Sequence, residues 1–389
     1  MPKNIVICCD GTDNKLTINE NTNVLHLYSC LEKSNNQSTY YHPGVGTIAP
    51  SGARTWMARK WNVIKDLVSA SSLEENVKDA YLFLMENYEE GDKIYLFGFS
   101  RGAYTVRMLS GLIEMFGLLQ KGNFSHLRYA LEIYVKGDKL FELANSFRSR
   151  FSREVEIEFI GIWDTVVAAG GLISYYKNFP YSRSLGIAKT VRHAIAIDEK
   201  RKHYYYYEVS ELHKDCKEVL FAGVHSDVGG SYPIEGLSKL ALEWMLGEAS
   251  NHGLLLSKKK VNRYVYGKSS NYQIPNYKQD IHNSLSIGFM IFDFIPRARY
   301  NEKSWFGKMS IDFRLWPKRK FSDNALIHES VMQKFKGTAN YKPRNLKLGI
   351  SPHPIENNLP IQFAATVVQT VKKPKVVATP KTKTQKPTL

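Results

Sequence analysis

A serine, an aspartate and a histidine stand at points of the sequence where they could act together in nucleophilic catalysis. Ser100 lies in a Gly-x-Ser-x-Gly turn, whereas Asp164 and His225 each directly follow an apolar run. A serine hydroxyl becomes a nucleophile when a histidine takes its proton and a carboxylate orients that histidine. The order Ser, Asp, His along the chain is the order found in α/β-hydrolases. The sequence therefore predicts a triad of Ser100, His225 and Asp164.

The surroundings of Ser100 predict a nucleophile elbow, the sharp strand-to-helix turn that exposes a catalytic serine. The apolar run Lys93–Phe99 predicts a strand before the turn, and Ala103–Phe116 predicts a helix after it. Glycines two positions before and two positions after Ser100 allow the turn to pass close to neighbouring strands. The backbone N–H of Arg101 is then expected to face an oxyanion.

A second oxyanion donor is expected from the loop that follows the first predicted strand, Asn4–Cys9. In that loop the N–H of Gly11 or of Thr12 could point towards the reacting carbonyl. Asp10 is expected either to accept hydrogen bonds from loop N–H groups or to hold His225 or Asp227 in place.

The residues alone also allow a second acid–base pair. Asp227 follows the same apolar run as His225, and His328 stands at a predicted helix start. Asp227 could therefore be the acid and His328 the base, in place of Asp164 and His225. The remaining histidines are expected to be core or surface residues.

Alternating strands and helices, with polar residues at the strand ends, predict a three-layer α/β-hydrolase-like fold with a mostly parallel central sheet. In such sheets the site lies beyond the carboxyl ends of the strands. The catalytic domain is expected over residues 1–345, with helical cap or lid insertions at about 124–150, 172–217 and 257–319. Residues 346–371 are expected to form an irregular extension, and the Lys/Pro-rich residues 372–389 a disordered tail.

Composition narrows the function classes. The 389 residues include 43% hydrophobic and 23% charged residues and carry a formal net charge of +16, which is typical of a basic globular protein. Four scattered cysteines predict reduced thiols and no zinc site. The absence of P-loop, dinucleotide and zinc-hydrolase motifs predicts no cofactor and no metal. The N-terminus predicts a folded strand and no signal peptide, and no run is long enough to span a bilayer. Synthesis in the cytoplasm is expected.

One segment concentrates positive charge among aromatic side chains. Between residues 297 and 320 there are eight Lys or Arg residues and two acidic ones. A cationic, aromatic surface favours anionic phospholipid headgroups, and no nucleic-acid-binding motif is present. The residues expected to bind a membrane are Arg297, Arg299, Trp305, Trp316, Lys318 and Arg319.

The motifs together resemble the DUF2235 family, whose best-known members are similar to the Tle1 phospholipase effectors of type VI secretion. The resemblance covers most of residues 4–335. It rests on Asp10-Gly11-Thr12-x-Asn14, Gly44-Val45-Gly46-Thr47, Gly98-Phe99-Ser100-Arg101-Gly102-Ala103, Ile162-Trp163-Asp164-Thr165-Val166 and Val224-His225-Ser226-Asp227-Val228-Gly229-Gly230-Ser231-Tyr232. Weaker matches occur at His193-Ala194-x-Ala196-x-Asp198-Glu199-x-Arg201 and Ile327-His328-x-Ser330-Val331.

The resemblance implies an α/β-hydrolase fold, a Ser100–Asp164–His225 triad and hydrolysis of phospholipid acyl esters. It also implies a secretion-system delivery protein, an immunity protein as partner and secretion by a leaderless route. Two other functions remain open from the sequence. One is a soluble carboxylesterase or thioesterase without a membrane role, and the other is a binding scaffold without catalysis.

Overall fold

Within the described part of the chain, the central sheet contains eight strands, each parallel to its neighbours, in the order β12-β11-β8-β7-β6-β3-β1-β2. The computed structural model describes residues 2–11, 20–44, 70–136, 141–166, 179–201, 204–209, 213–284, 297–300, 309–312, 318–343, 345–349 and 353–363. The eight strands are β1 Asn4–Cys9, β2 Gln37–His42, β3 Lys93–Phe99, β6 Ile157–Trp163, β7 Ala188–Ala196, β8 Cys216–Phe221, β11 Ile327–His328 and β12 Ile355–Glu356. Two further antiparallel pairs are β4 Leu118–Leu119 with β5 Ser152–Arg153, and β9 Arg297–Tyr300 with β10 Met309–Asp312.

Helices cover both faces of this sheet, so the architecture is the predicted three-layer α/β arrangement. The helices are α1 Asn23–Cys30, α2 Ala70–Asn87, α3 Arg101–Phe116, α4 Phe124–Lys136, α5 Phe141–Phe151, α6 His225–Gly229, α7 Gly236–Asn251, α8 Lys258–Tyr264 and α9 Glu329–Gly337. Buried side chains of α2, α3, α4 and α5 form one hydrophobic core with one face of the sheet. Those of α1, α7 and α8 form a second core with the opposite face.

The middle strands form because their apolar side chains can be buried on both faces. All six residues of β1 are buried, and so are all but the first residue of β3. Continuous apolar runs of this kind are typical of strands inside a parallel sheet. Because the strands are parallel, the residues that follow β1, β3, β6 and β8 meet at one edge of the sheet. This edge carries the predicted site.

Strand β7 corrects the expectation that residues 172–217 form a cap. It lies between β6 and β8, in the interior of the sheet. The sequence hides this strand because Arg192 and His193 interrupt its apolar run. Arg192 can be buried there because its guanidinium lies 2.5 Å from the Glu248 carboxylate and 2.9 Å from that of Asp215. A paired charge is tolerated in a core where an unpaired one would be costly.

The C-terminal boundary also differs from the expectation. Strand β12 pairs with β11 at one edge of the sheet, so the sheet extends past residue 345. Helices α4 and α5, which account for the predicted insertion at 124–150, pack on α3 within the first core. Residues 372–389 lie outside the described residues. None of the described helices is both long and apolar enough to cross a bilayer.

Candidate active site

Ser100 stands at the turn between β3 and α3, as the elbow requires. Its backbone has φ 58° and ψ −120°, a left-handed conformation that is unfavourable for a residue with a side chain. Its amide donates a hydrogen bond to the carbonyl of Trp163 at 3.1 Å, which ties the elbow to the end of β6. Helix α3 begins directly after the serine, so the Arg101 amide belongs to its first turn.

The two glycines of the elbow are required by close backbone contacts. A Cβ atom at position 98 would lie 2.5 Å from the carbonyl oxygen of Gly102, and one at position 102 would lie 2.1 Å from that of Cys9. Neither position can hold a side chain without moving the backbone. Because Cys9 ends β1, the same contact holds the elbow against the loop of Asp10.

His225 and Asp164 are directly hydrogen bonded to each other. The His225 Nδ1 atom lies 2.6 Å from the Asp164 Oδ2 atom, and both side chains are buried. Binding at Nδ1 leaves Nε2 as the nitrogen that can accept a proton. The imidazole lies between Phe99 and Tyr204, with ring centroids 4.5 Å and 4.8 Å away. Burial lowers the pKa of His225 and outweighs the opposing effect of Asp164, so the neutral, basic form is favoured.

Arg319, expected on a membrane surface, is instead buried against Asp164. Its side chain is only 3% exposed. Its two terminal nitrogens lie 2.5 Å from Asp164 Oδ1 and 2.9 Å from Asp164 Oδ2. Burial raises the pKa of Asp164, but Arg319 and His225 outweigh this effect and hold the pKa well below its usual range. The prediction of an exposed Arg319 was wrong, because it relied on the basic residues next to Arg319 in the sequence.

Glu199 and Arg201 form a second buried ion pair beside His225. The guanidinium of Arg201 contacts both oxygens of Glu199, at 3.0 Å and 2.8 Å. Glu199 also accepts hydrogen bonds from the backbone amide of His225 at 3.2 Å and from the Ser284 hydroxyl at 3.2 Å. Burial raises the pKa of Glu199, but Arg201 outweighs this and brings it to about 2. The weak motif match over residues 193–201 was the available sequence signal for this pair.

The alternative pair of Asp227 and His328 is not brought together. Asp227 binds His282, whose Nδ1 lies 2.5 Å from Asp227 Oδ1 and whose backbone amide donates to Oδ2 at 3.2 Å. His328 instead caps α9, where its Nδ1 accepts from the Ser330 amide and its Nε2 lies 3.1 Å from the side-chain oxygen Oδ1 of Asn358. Burial lowers the pKa of His328 to about 4. His328 is therefore a helix-capping core residue.

Asp10 organises the loop after β1. Its oxygens accept from the Gly11 amide at 2.7 Å, the Thr22 hydroxyl at 2.5 Å and the Tyr41 hydroxyl at 2.7 Å. The predicted role in binding loop N–H groups is thus seen for Gly11. The same hydrogen bond argues against Gly11 as the predicted second oxyanion donor, because the Gly11 N–H already donates to Asp10. Thr12, the other candidate donor, lies outside the described residues.

The predicted membrane residues are only partly described. Trp305 and Trp316 lie outside the described residues, Arg297 and Arg299 lie on β9, and Lys318 is exposed. Among the residues whose positions are described, no group of three or more His, Cys, Asp or Glu side chains could hold a metal ion.

A parallel sheet between two helical layers, with a serine on a strand-to-helix elbow, defines an α/β protein of hydrolase architecture. The family model described as "T6SS, Phospholipase effector Tle1-like, catalytic domain" matches residues 3–248, and the chain belongs to this family. The resemblance stated from the motifs is thereby confirmed.

The matched regions cover only about a third to a half of each relative's own length. The uncharacterized protein YEL023C of Saccharomyces cerevisiae is 38% identical over 217 residues, which are 51% of this chain and 31% of the yeast protein. An uncharacterized protein from Pseudomonas aeruginosa aligns with a TM-score of 0.40 and 19% identity over 67% of this chain and 48% of its own. A Tle1 effector bound to the VgrG spike of the type VI secretion system aligns with a TM-score of 0.36 and 20% identity, over 59% and 51%.

Proposed function

We propose that this chain is a serine hydrolase that cleaves acyl esters of glycerophospholipids. The observation that carries the proposal is the 2.6 Å hydrogen bond between His225 and Asp164, formed at the sheet edge where Ser100 occupies the elbow. The family description supports phospholipids as the substrate class. The favoured neutral state of His225 supports its role as general base.

The proposed reaction proceeds through an acyl-enzyme. His225 Nε2 takes the hydroxyl proton of Ser100 as Oγ attacks the ester carbonyl carbon. The Arg101 amide, with the Thr12 amide as second donor, stabilises the oxyanion of the tetrahedral intermediate. Collapse breaks the bond to the lysophospholipid oxygen, which receives the proton from His225. A water molecule, deprotonated by His225, then attacks the acyl carbon and releases the fatty acid and Ser100.

The first test is hydrolysis of mixed phospholipid vesicles by Ser100→Ala. Fatty-acid release should fall by a factor of about 10³ or more, because the nucleophile is removed. Ser110→Ala is the matched control, since it removes a buried serine hydroxyl from the adjoining helix α3, and it should hydrolyse as the wild type does. Undiminished release by Ser100→Ala would refute the serine mechanism. Cleavage of water-soluble esters but not of phospholipid would identify a soluble esterase.

We further propose that the basic segment around β9 binds anionic membranes, with Arg297, Arg299 and Lys318 as its cations. Near an anionic surface each cation contributes about 1 kcal/mol, and salt screens the attraction. The double variant Arg297→Glu/Arg299→Glu should sediment less with phosphatidylglycerol vesicles, and high salt should abolish the difference. Equal, salt-insensitive sedimentation of both proteins would contradict this assignment.

Delivery by a type VI secretion apparatus, with an immunity protein that neutralises the enzyme in its producer, completes the proposal. It is supported by the family description. Loss of the extracellular protein when the spike protein of the producer is deleted would support delivery. Unchanged export in that deletion would contradict it.

A further inference from the structure

The guanidinium of Arg319 is fixed on the proposed catalytic carboxylate by four hydrogen bonds. Two of them go to the two oxygens of Asp164, and the others go to the carbonyls of Ala196 at 2.8 Å and Tyr204 at 2.6 Å. Because the guanidinium is planar and rigid, a fork bound at four points holds its partner in one orientation.

The Asp164 carboxylate also accepts hydrogen bonds from His225 and from a backbone amide. Asp164 Oδ2 accepts from both His225 Nδ1 and Arg319, and Asp164 Oδ1 accepts from both Arg319 and the Ala196 amide at 2.9 Å. Each oxygen therefore has two donors. Without Arg319, each oxygen would keep one donor, and the carboxylate would lose its only neighbouring cation of fixed charge among these contacts.

We propose that Arg319 is a positioning residue for the triad. It orients Asp164 towards His225, and it keeps Asp164 ionised and His225 neutral in mildly acidic solution. This inference rests on the proposed function, since it assigns Asp164 and His225 to the reaction. It also explains why a cation from a distant basic segment is buried at the sheet edge.

The charge of Arg319 acts on the pair in a defined direction. A nearby positive charge disfavours uptake of a proton, so removing it makes protonation of the pair easier, whether the proton resides on Asp164 or on His225. Protonation of the pair blocks the general base. The acidic limb of the pH–rate profile must then move to higher pH.

A substitution at position 319 removes none of the other charged groups near the pair, and its further electrostatic effect is on Glu199, whose pKa Arg319 helps to lower. His225 is faced by Glu199 and Arg201, and by the ring of Tyr204. Asp164 is faced from β7 by His193, which accepts from the Thr165 amide and pairs with Glu218. A shift of the acidic limb can therefore be assigned to Arg319.

The test compares Arg319→Met and Arg319→Lys with wild type in two measurements. The first is the pH dependence of kcat/KM for phospholipid hydrolysis, and the second is an NMR titration of the His225 imidazole. In Arg319→Met the acidic limb and the imidazole titration should both move up by about one to three pH units. Arg319→Lys keeps the charge but not the planar fork, so it should show a smaller shift with a reduced kcat.

Lys342→Met is the matched control, because it removes an exposed cation from the same C-terminal part of the chain. Its profile should coincide with that of wild type. Wild-type positions of the limb and titration in Arg319→Met would overturn the inference. If Arg319→Met does not fold, an unchanged kcat in Arg319→Lys would overturn it, because the planar fork would then not matter. The NMR titration needs no turnover, so it still tests Arg319 if the proposed hydrolysis itself fails.

Discussion

Asp164 and Asp227 both follow buried strands of the sheet, yet each binds a different histidine. Asp164 binds His225, and Asp227 binds His282, whose ring stacks on Tyr232 with centroids 4.1 Å apart. His282 remains 22% exposed at its side chain. The first pair belongs to the proposed reaction, whereas the second holds the segment around His282 against α6.

The two aspartates should therefore differ sharply on substitution. Asp164→Asn should reduce kcat by about 10⁴, because the amide favours the wrong tautomer of His225. Asp227→Asn should reduce it less than about tenfold. Kinetics on one phospholipid substrate compare the two directly, and a larger loss in Asp227→Asn would reverse the assignment.

Asp164→Asn also leaves the Arg319 charge without its carboxylate, and an uncompensated buried charge costs about 3–5 kcal/mol. The double variant Asp164→Asn/Arg319→Met removes that charge. It should recover stability in urea unfolding but not activity. This outcome separates loss of catalysis from loss of fold.

Among single residues, those at the ends of apolar runs could be predicted from the sequence as site residues, whereas their distant contact partners could not. Ser100, Asp164 and His225 stand where strands end, which the sequence displays. Arg319 is 155 positions from Asp164 and lies among residues that resemble a solvated basic surface. Burial of a cation depends on the partner that tertiary folding supplies, and no local pattern reveals that partner.

Among the elements, the elbow is the most constrained, because β3, α3 and the end of β1 meet there with almost no space between their backbones. The strand and helix around it were predictable from apolar runs and their glycines. Strand β7 was not, because its core contains Arg192 and His193 with partners on other elements. A central strand that buries polar residues therefore cannot be predicted from hydrophobicity alone.

Gly102→Ala should damage both stability and activity. Its Cβ would meet the Cys9 and Asp10 carbonyls at 2.1 Å and 2.6 Å, so the elbow must shift. Crowding of this kind costs about 1–3 kcal/mol, measurable by urea unfolding. Gly337→Ala is the control, because its nearest contact is the Tyr277 ring at 3.3 Å, and it should change stability by less than about 0.5 kcal/mol. Equal effects of the two variants would refute the packing argument.

For the whole molecule, a buried neutral histidine makes stability depend on pH. The pKa of His328 falls on folding from 6.5 to about 4 because the ring is buried. The unfolded chain therefore binds more protons between these values, so stability is complete above pH 6.5 and decreases as the pH falls towards 4. Between pH 6.5 and pH 5 the loss from this residue is about 2 kcal/mol.

His328→Asn should reduce that pH dependence, since asparagine can also cap α9 but does not titrate. The free energy of unfolding of wild type and variant, measured at pH 7 and pH 5, provides the comparison. The variant should lose about 2 kcal/mol less than wild type between the two pH values. Parallel losses would show that His328 does not titrate as its burial predicts.

The bond between Arg319 and Asp164 also has a consequence for biosynthesis. Translation delivers Asp164 and His225 well before Arg319, which binds Asp164 in the folded protein. A carboxylate cannot settle in a dry interior without its counter-charge. We therefore expect Asp164 to gain its full set of hydrogen bonds only after residue 319 has emerged from the ribosome.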